Sequence, residues 1–308
     1  MRSTFQIALT IAATAQAKFM QVYLENDWQV QFDSETCDLK VNKIVQGQTT
    51  SHVTVFEADK HLLSVGKGTV DDYKIMTAGN IQTFPERTSQ SAWMECDASV
   101  TNSGSEFGVS GHIVIDGEAN DSPRTAFTMT FSSSSAHKLA FKAEAKEAYP
   151  PTEEIDSNYF SMTYKSPVDE EIYGMGLQYT EWDFKGKQVP LISEEAGVGR
   201  GVQPITAMGN RFGGGQGGTS TTSYAPAAQY ITNKQRGFVF DQRETGIAYF
   251  DGKQTTEMLY WHATEISGTL LWGEDPMTLA QELSKHVGTM RPLPAWALKG
   301  AIVGIVGG

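Results

Sequence analysis

Polar and apolar residues alternate along much of the first half of the chain. Trp28, Val30 and Phe32 stand between polar neighbours, as do Phe127, Met129 and Phe131. A period of two puts alternate side chains on one face, so these segments predict strands that bury a single face, as in an antiparallel sandwich. Ile113 and Ile115 lead into Asp116-Gly117, a hairpin-turn dipeptide. No repeat recurs at a fixed period, which argues against a solenoid or propeller. Strand patterns return at Phe238-Val239-Phe240 and over residues 247–250, with Asp251-Gly252 as a second turn, and continue over 258–261 and 270–272. One segment has helical spacing. Asp275 is its N-cap, Pro276 its first helical residue, Leu279, Leu283 and Val287 its apolar face, and Gly288 its stop. The apolar run Ala301-Ile302-Val303-Gly304-Ile305-Val306 predicts a strand covered on both sides.

Residues 173–204 follow neither period. They read Tyr173-Gly174-Met175-Gly176-Leu177-Gln178-Tyr179, then Trp182-Asp183-Phe184-Lys185-Gly186-Lys187, then Glu194-Glu195-Ala196-Gly197-Val198-Gly199-Arg200-Gly201. Aromatics, amides, carboxylates and an arginine on a glycine-rich backbone predict a loop able to approach a ligand closely. The alternative is a surface loop whose aromatics only pack beneath it. The polar runs 132–135 and 144–154 read as solvated loops, and the glycines of 213–218, with Thr219 to Ser223 behind them, as a flexible one.

A length of 308 residues suits one large or two modest domains. Thirty-six acidic against 24 basic residues give a net charge of −12, which argues against nucleic acid and anionic membrane surfaces as partners. Residues 1–17 read as a secretory signal, with Arg2 at the start and Ala15-Gln16-Ala17 as a cleavage site. Gln6 and Thr10 interrupt its apolar middle, and the alternative is an ordinary N-terminal strand. In a secreted chain Asn120-Asp121-Ser122 is a glycosylation site. Cys37 and Cys96 are either one disulfide or two buried thiols.

Most familiar chemistry is missing from the pattern. The six histidines lack the spacing of a metal helix. Gly174-Met175-Gly176 has neither the third glycine nor the βαβ setting of a dinucleotide site, and no nucleophile-elbow motif occurs. Neither a metal nor a cofactor is expected. The paired acids Glu170-Glu171 and Glu194-Glu195 read as solvated surface.

Several segments together carry a family resemblance: Glu171-Ile172-Tyr173-Gly174-Met175-Gly176-Leu177-Gln178, Lys185-Gly186-Lys187, Gly197-Val198-Gly199-Arg200-Gly201, residues 226–241, and Gly288 through Pro294-Ala295-Trp296 to Gly304-Ile305-Val306-Gly307-Gly308. In order and spacing they resemble glycoside hydrolase family 31, in particular its sulfoquinovosidase-like branch, from Tyr159 to the end. The resemblance implies a mainly β chain. An N-terminal galactose-mutarotase-like β-sandwich over 18–290 would be followed at 291–308 by the first strand of a (β/α)8 catalytic barrel. It implies a carbohydrate substrate, an α-glycoside cleaved with retention by two carboxylates on later barrel strands, so no catalytic residue is assigned within these 308 residues. The loop from Gln178 to Arg200 would face the sugar. Gln178 and Asp183 would hydrogen-bond hydroxyls, Trp182 would stack on a pyranose, and Arg200 would meet an anion or carboxylate, or else pair with Glu194 or Glu195 to brace the loop. A stand-alone carbohydrate-binding sandwich is the alternative reading. Two positions depart from the family pattern. Leu177 stands where Gly-x-Gly-Glu-Gln carries Glu, and Val306 fills a sulfonate-recognition position usually held by Gln or Lys.

Overall fold

Where apolar residues alternate, the chain forms strands whose buried positions are the apolar ones. The computed structural model describes residues 19–46, 50–69, 86–91, 93–94, 99–114, 125–145, 159–178, 180–193, 201–212, 217–250 and 252–298. In chain order these form β1 (Phe19–Leu24), β2 (Trp28–Asp33), β3 (Leu39–Val45), β4 (Ser51–Thr69), β5 (Glu86–Ser91), β6 (Trp93–Met94), β7 (Ser99–Asn102), β8 (Glu106–Val114), β9 (Thr125–Ser135), β10 (Lys138–Ala145), β11 (Tyr159–Lys165), β12 (Ile172–Gly176), β13 (Gln188–Leu191), α1 (Pro204–Phe212), β14 (Pro226–Thr232), β15 (Arg236–Phe240), β16 (Gly246–Tyr249), β17 (Thr255–Trp261), β18 (Glu265–Trp272), α2 (Pro276–Val287) and α3 (Ala295–Leu298). One sheet has the order β1-β2-β3-β4-β11-β17-β16-β13, with β5 also on β4. The other has the order β12-β14-β15-β18-β10-β9-β8-β6, with β7 also on β8. The strand pairs described are antiparallel throughout, including β16 with β17, while Asp251 of the turn predicted between them lies outside the described residues.

Aromatic rings from the two sheets meet between them. Phe32 faces Phe107 at 6.3 Å, Phe56 faces Phe131 at 5.9 Å, and Tyr164 stacks on Phe238 at 4.8 Å. Trp28, Val30, Phe32, Phe127, Met129 and Phe131 all lie in this core, as their alternation predicts. Ser132–Ser135 are not loop but the end of β9, paired with β8 and β10. The ladder satisfies their backbone, and small hydroxyls suit the partly exposed end of a strand. The predicted turn at Asp116-Gly117, the sequon at Asn120, residues 1–17 and the run 301–306 lie outside the described residues.

Helix α2 begins as its sequence dictates. The Asp275 carboxylate accepts hydrogen bonds from the Met277 and Thr278 amides, Pro276 opens the first turn, and Gly288 closes the helix at φ 87°. Leu279 and Leu283 pack on Val239, Leu271 and Ile231, so β15 and β18 are covered on both faces. Val287 does not join them and is half exposed, because the helix has passed the edge of the patch it covers. Those amide bonds from Thr278 and Met277, with the Thr278 hydroxyl, hold the Asp275 carboxyl below its ordinary range. Asp275→Ala is therefore expected to lower the urea midpoint slightly, Asp275→Asn to restore most of it, and the wild-type advantage to fade as pH falls through the depressed carboxyl pKa.

Candidate functional site

Strand β12 ends in three consecutive residues with positive φ: Gly174 at 138°, Met175 at 63° and Gly176 at 83°. The register with β14 breaks there, between Gly174 and Gly176. A Cβ at Gly174 would stand 2.6 Å from the Gln229 carbonyl oxygen, and one at Gly176 would stand 2.3 Å from that of Ala225. Both glycines are thus required by backbone approach as well as by φ. The bulge buries Met175 in the core and turns the following residues outward. Leu177 is fixed on the neighbouring segment, its amide donating to Ala225 O at 2.9 Å and its carbonyl accepting from Ser223 Oγ at 2.5 Å. Because β12 and β13 are the terminal strands of different sheets, loop 177–187 crosses from one sheet to the other at their edge.

This loop is braced from within. Asp183 Oδ1 accepts from the Ile172 amide at 2.8 Å and the Lys185 amide at 2.9 Å, tying the loop to the start of β12. Phe184 is buried, and Lys187 pairs with Glu181 at 3.2 Å. Trp182 faces the other way, 84% exposed, with the Tyr173 ring 6.0 Å away at 57°. The Tyr173 hydroxyl donates to Glu171, and that bond pushes its pKa up to about 12. Gln178 is half buried, its Nε2 donating to Met175 O at 3.0 Å and its Oε1 enclosed without a protein partner. Of the four residues the sequence singles out, Gln178, Trp182 and Asp183 therefore share one loop. Oδ1 of Asp183 is committed to holding that loop. Arg200, with Glu194 and Glu195, lies outside the described residues.

Glu170 is not solvated surface. It is buried against Arg236, with Nε to Oε1 at 2.7 Å and Nη2 to Oε2 at 2.6 Å. Arg236 also donates to Val55 O on β4 and Lys165 O on β11, so a residue of one sheet clasps the backbone of the other. Ser166 Oγ donates to Glu170 at 2.7 Å, and Lys185 Nζ donates to Ser166 Oγ at 2.6 Å, which connects this ion pair to the loop. Burial lowers the pKa of Lys185. Beside the pair, the hydroxyls of Tyr164 and Tyr230 hydrogen-bond across the sheets, and burial raises both their pKa values. Sequence reasoning passed over Arg236. Its signal is a charged residue opening the otherwise apolar run Arg-Gly-Phe-Val-Phe, all of it buried in β15.

Residues 219–223, read from sequence as the tail of a flexible loop, are partly core. Thr221, Thr222 and Ser223 are buried, with Thr222 Oγ1 donating to Thr219 O at 2.9 Å. A cavity of about 570 Å3 beside β14 and α2 is lined by Lys165, Lys234, Gln235, Arg236 and Glu274. Four of those side chains are already engaged: Lys165 with Glu57 at 2.7 Å, Lys234 with Asp169 at 2.5 Å, Gln235 Nε2 with the Glu274 backbone carbonyl at 2.6 Å, and Arg236 with Glu170. Among the described residues no group of three or more His, Cys, Asp or Glu is placed to hold a metal ion. Nor is any helix there long and apolar enough to cross a membrane. Cys37 is disulfide-bonded, and the sequence holds one other cysteine, Cys96.

The two antiparallel sheets match part of a known structure in fold, and over part of its length the chain is related to the sulfoquinovosidases of glycoside hydrolase family 31. It is 25% identical over 141 residues to the sulfoquinovosidase of Agrobacterium fabrum, a match covering 46% of this chain and 21% of that protein. It is 24% identical over 156 residues to the sulfoquinovosidase of Escherichia coli K12, covering 50% of this chain and 23% of that protein. The matched part thus spans less than a quarter of either relative. In fold, the chain superposes on a family 31 sulfoquinovosidase from E. rectale, solved with an aza-sugar inhibitor, with a TM-score of 0.64 over 93% of this chain and 37% of that one, at 16% identity. No protein-family model matches the chain.

Proposed function

We propose that the chain is the substrate-facing N-terminal portion of a retaining α-glycoside hydrolase, a galactose-mutarotase-like sandwich whose edge loop forms one wall of a sugar pocket. The sequence match to two sulfoquinovosidases carries this reading, and the fold match over nearly all of the chain supports it. In this reading the acid and the nucleophile belong to the part of the relatives outside the match. Trp182 offers an exposed ring of the kind that stacks on the C–H face of a pyranose, and Tyr173 backs it. Gln178 Oε1 is enclosed and has no protein partner, so it would act through a bridging water rather than accept from a sugar hydroxyl directly. Asp183 holds the loop that carries both. The disulfide at Cys37 supports passage through an oxidising compartment, in keeping with a secretory signal at residues 1–17.

Calorimetric titration of the purified chain with a panel of α-glycosides, an α-sulfoquinovoside among them, tests this. Weak binding of at least one sugar is expected, with no hydrolysis by this polypeptide alone. Trp182→Ala is expected to weaken that binding about three- to tenfold with the urea midpoint unchanged, since the ring supports no core packing. Hydrolysis by the chain unaided would overturn the division of labour. Binding without any loss in Trp182→Ala would remove the loop from the sugar site, and no binding to any sugar would remove the site itself.

A further inference from the structure

Lysine is an awkward residue to turn inward, yet Lys185 does so from the middle of the candidate loop. It is half buried, with Nζ donating to Ser166 Oγ at 2.6 Å and to Ser166 O at 3.2 Å. Ser166 is a fixed target. It is fully buried, its amide donates to Gln254 O at 2.8 Å, and its hydroxyl donates to the Glu170 carboxylate that Arg236 holds. Through Arg236 that point is tied to β4 and β11 of the opposite sheet. The loop's other braces end at less central places. Asp183 and the Phe184 amide bind Ile172 on β12, the terminal strand of its sheet, and the Gly186 amide binds Phe250, just past β16. Of these braces, Lys185 alone reaches the buried ion pair. Burying an ammonium is unfavourable unless acceptors stand ready for it. Burial lowers the Lys185 pKa even with the carboxylates of Glu170, Asp183 and Asp169 nearby, and Arg236 acts in the same direction. An apolar contact such as that of Phe184 tolerates sliding. A buried, hydrogen-bonded charge does not, because displacement from Ser166 would leave it desolvated without its acceptors.

We infer that Lys185 is a positioning residue for this loop: by docking its ammonium on Ser166 it sets where Trp182 presents its ring. Trp182 needs such a setting from elsewhere. Its ring is 84% exposed, and the ring contact described for it is with Tyr173 at 6.0 Å, so its place follows from the backbone beside it. That backbone runs from Asp183 to Lys185 and is closed on itself, since the Asp183 carboxylate accepts from the Lys185 amide at 2.9 Å. A shift at Lys185 is therefore carried to Trp182 three residues away. The consequence for sugar binding rests on the role proposed above for Trp182. Because Lys185 acts through the ring, removing its ammonium can weaken binding no more than removing the ring does.

The test uses the full chain labelled with 5-fluorotryptophan, in which Trp182→Phe identifies the fluorine signal of residue 182. Lys185→Met is expected to move and narrow that signal, as the ring gains freedom, and to leave the other tryptophan signals in place. Alkylating the Lys185→Cys variant with 2-bromoethylamine rebuilds an ammonium of nearly the same reach and is expected to return the signal to its wild-type position. Calorimetric titration with the α-glycoside panel completes a double-mutant cycle. Lys185→Met is expected to weaken sugar binding about three- to tenfold in the wild-type background and by less than about twofold in Trp182→Ala. A residue-182 signal unmoved in Lys185→Met would overturn the inference. So would an equal loss of affinity in both backgrounds, since Lys185 would then act by a route other than the ring. Absence of sugar binding in every variant, with the signal moved and then restored, would overturn the sugar reading and uphold the positioning of the ring.

Discussion

Glu170→Gln is expected to destabilise the fold by about 3–5 kcal/mol at neutral pH, the usual cost of removing one member of a buried ion pair. The reason lies in what stays behind. Arg236 is buried with its guanidinium between the sheets, and its bonds to the Val55 and Lys165 carbonyls do not neutralise its charge. Glutamine keeps one acceptor and the shape but loses the charge. Replacing both partners with apolar residues, Glu170→Leu with Arg236→Met, is expected to cost less than the single change, because no charge is then stranded. The pH dependence has a definite sign. Burial acts to raise the Glu170 pKa, but the hydrogen bonds and charge of Arg236, with Ser166 and Thr232, outweigh it and hold the pKa below its ordinary value. A depressed folded-state pKa gives stability that is fully present above the unfolded carboxyl pKa and lost as pH falls through the folded one. Wild-type stability should therefore decline in acid more steeply than that of Glu170→Gln. Urea titrations at neutral and successively lower pH measure both effects. A variant within about 1 kcal/mol of wild type at neutral pH would mean that the pair is not the clasp its geometry describes.

Sequence made the frame legible because its signals are local. Alternation in β9 and the Asp275-Pro276 start of α2 each depend on neighbours a few residues away, and the chain folds as those neighbours dictate. The glycine-rich stretch 173–204, read as one loop able to approach a ligand, is loop only in part: residues 173–176 end β12, 188–191 form β13, and Gly174 and Gly176 approach the backbone of the β14 segment. What sequence hid was tertiary. Glu170 and Glu171 are adjacent and chemically alike, yet one is buried on an arginine 66 residues away and the other is exposed beside Tyr173. Thr221, Thr222 and Ser223 look solvated until the loop from β12 closes over them. Helix α1 shows the opposite case. Its apolar spacing is present in the sequence, but Gly209 and the short length weaken a local reading, and no spacing rule tells which face will turn outward. Of the candidate site, the position of the loop was accessible from sequence, whereas whether Trp182 faces outward or packs beneath it was left open. The commitment of Asp183 to backbone amides was not accessible.

Gly176→Ala is expected to disrupt the candidate site more completely than any change to its side chains. Positive φ alone costs a residue with a Cβ roughly 1–3 kcal/mol. Here the new atom would also meet Ala225 O at 2.3 Å, Ala227 N at 2.5 Å and Pro226 C at 2.8 Å, all of them backbone that has no rotamer to yield. Relief requires β12 to separate from β14, which breaks the ladder at its edge and releases the Leu177–Ala225 hydrogen bond. Gly186 supplies the control. Its φ of 81° is nearly that of Gly176 at 83°, but a Cβ there meets nothing within 4 Å, so Gly186→Ala bears the backbone strain without the collision. The expected result is a large fall in the urea midpoint for Gly176→Ala, or failure to accumulate as soluble protein, against a modest fall for Gly186→Ala. Any folded Gly176→Ala protein should also lose sugar binding, because Gln178 and Trp182 hang from the segment that has moved. Equal losses in the two variants would show that φ governs this turn and that the close approach of β14 does not hold the loop in place.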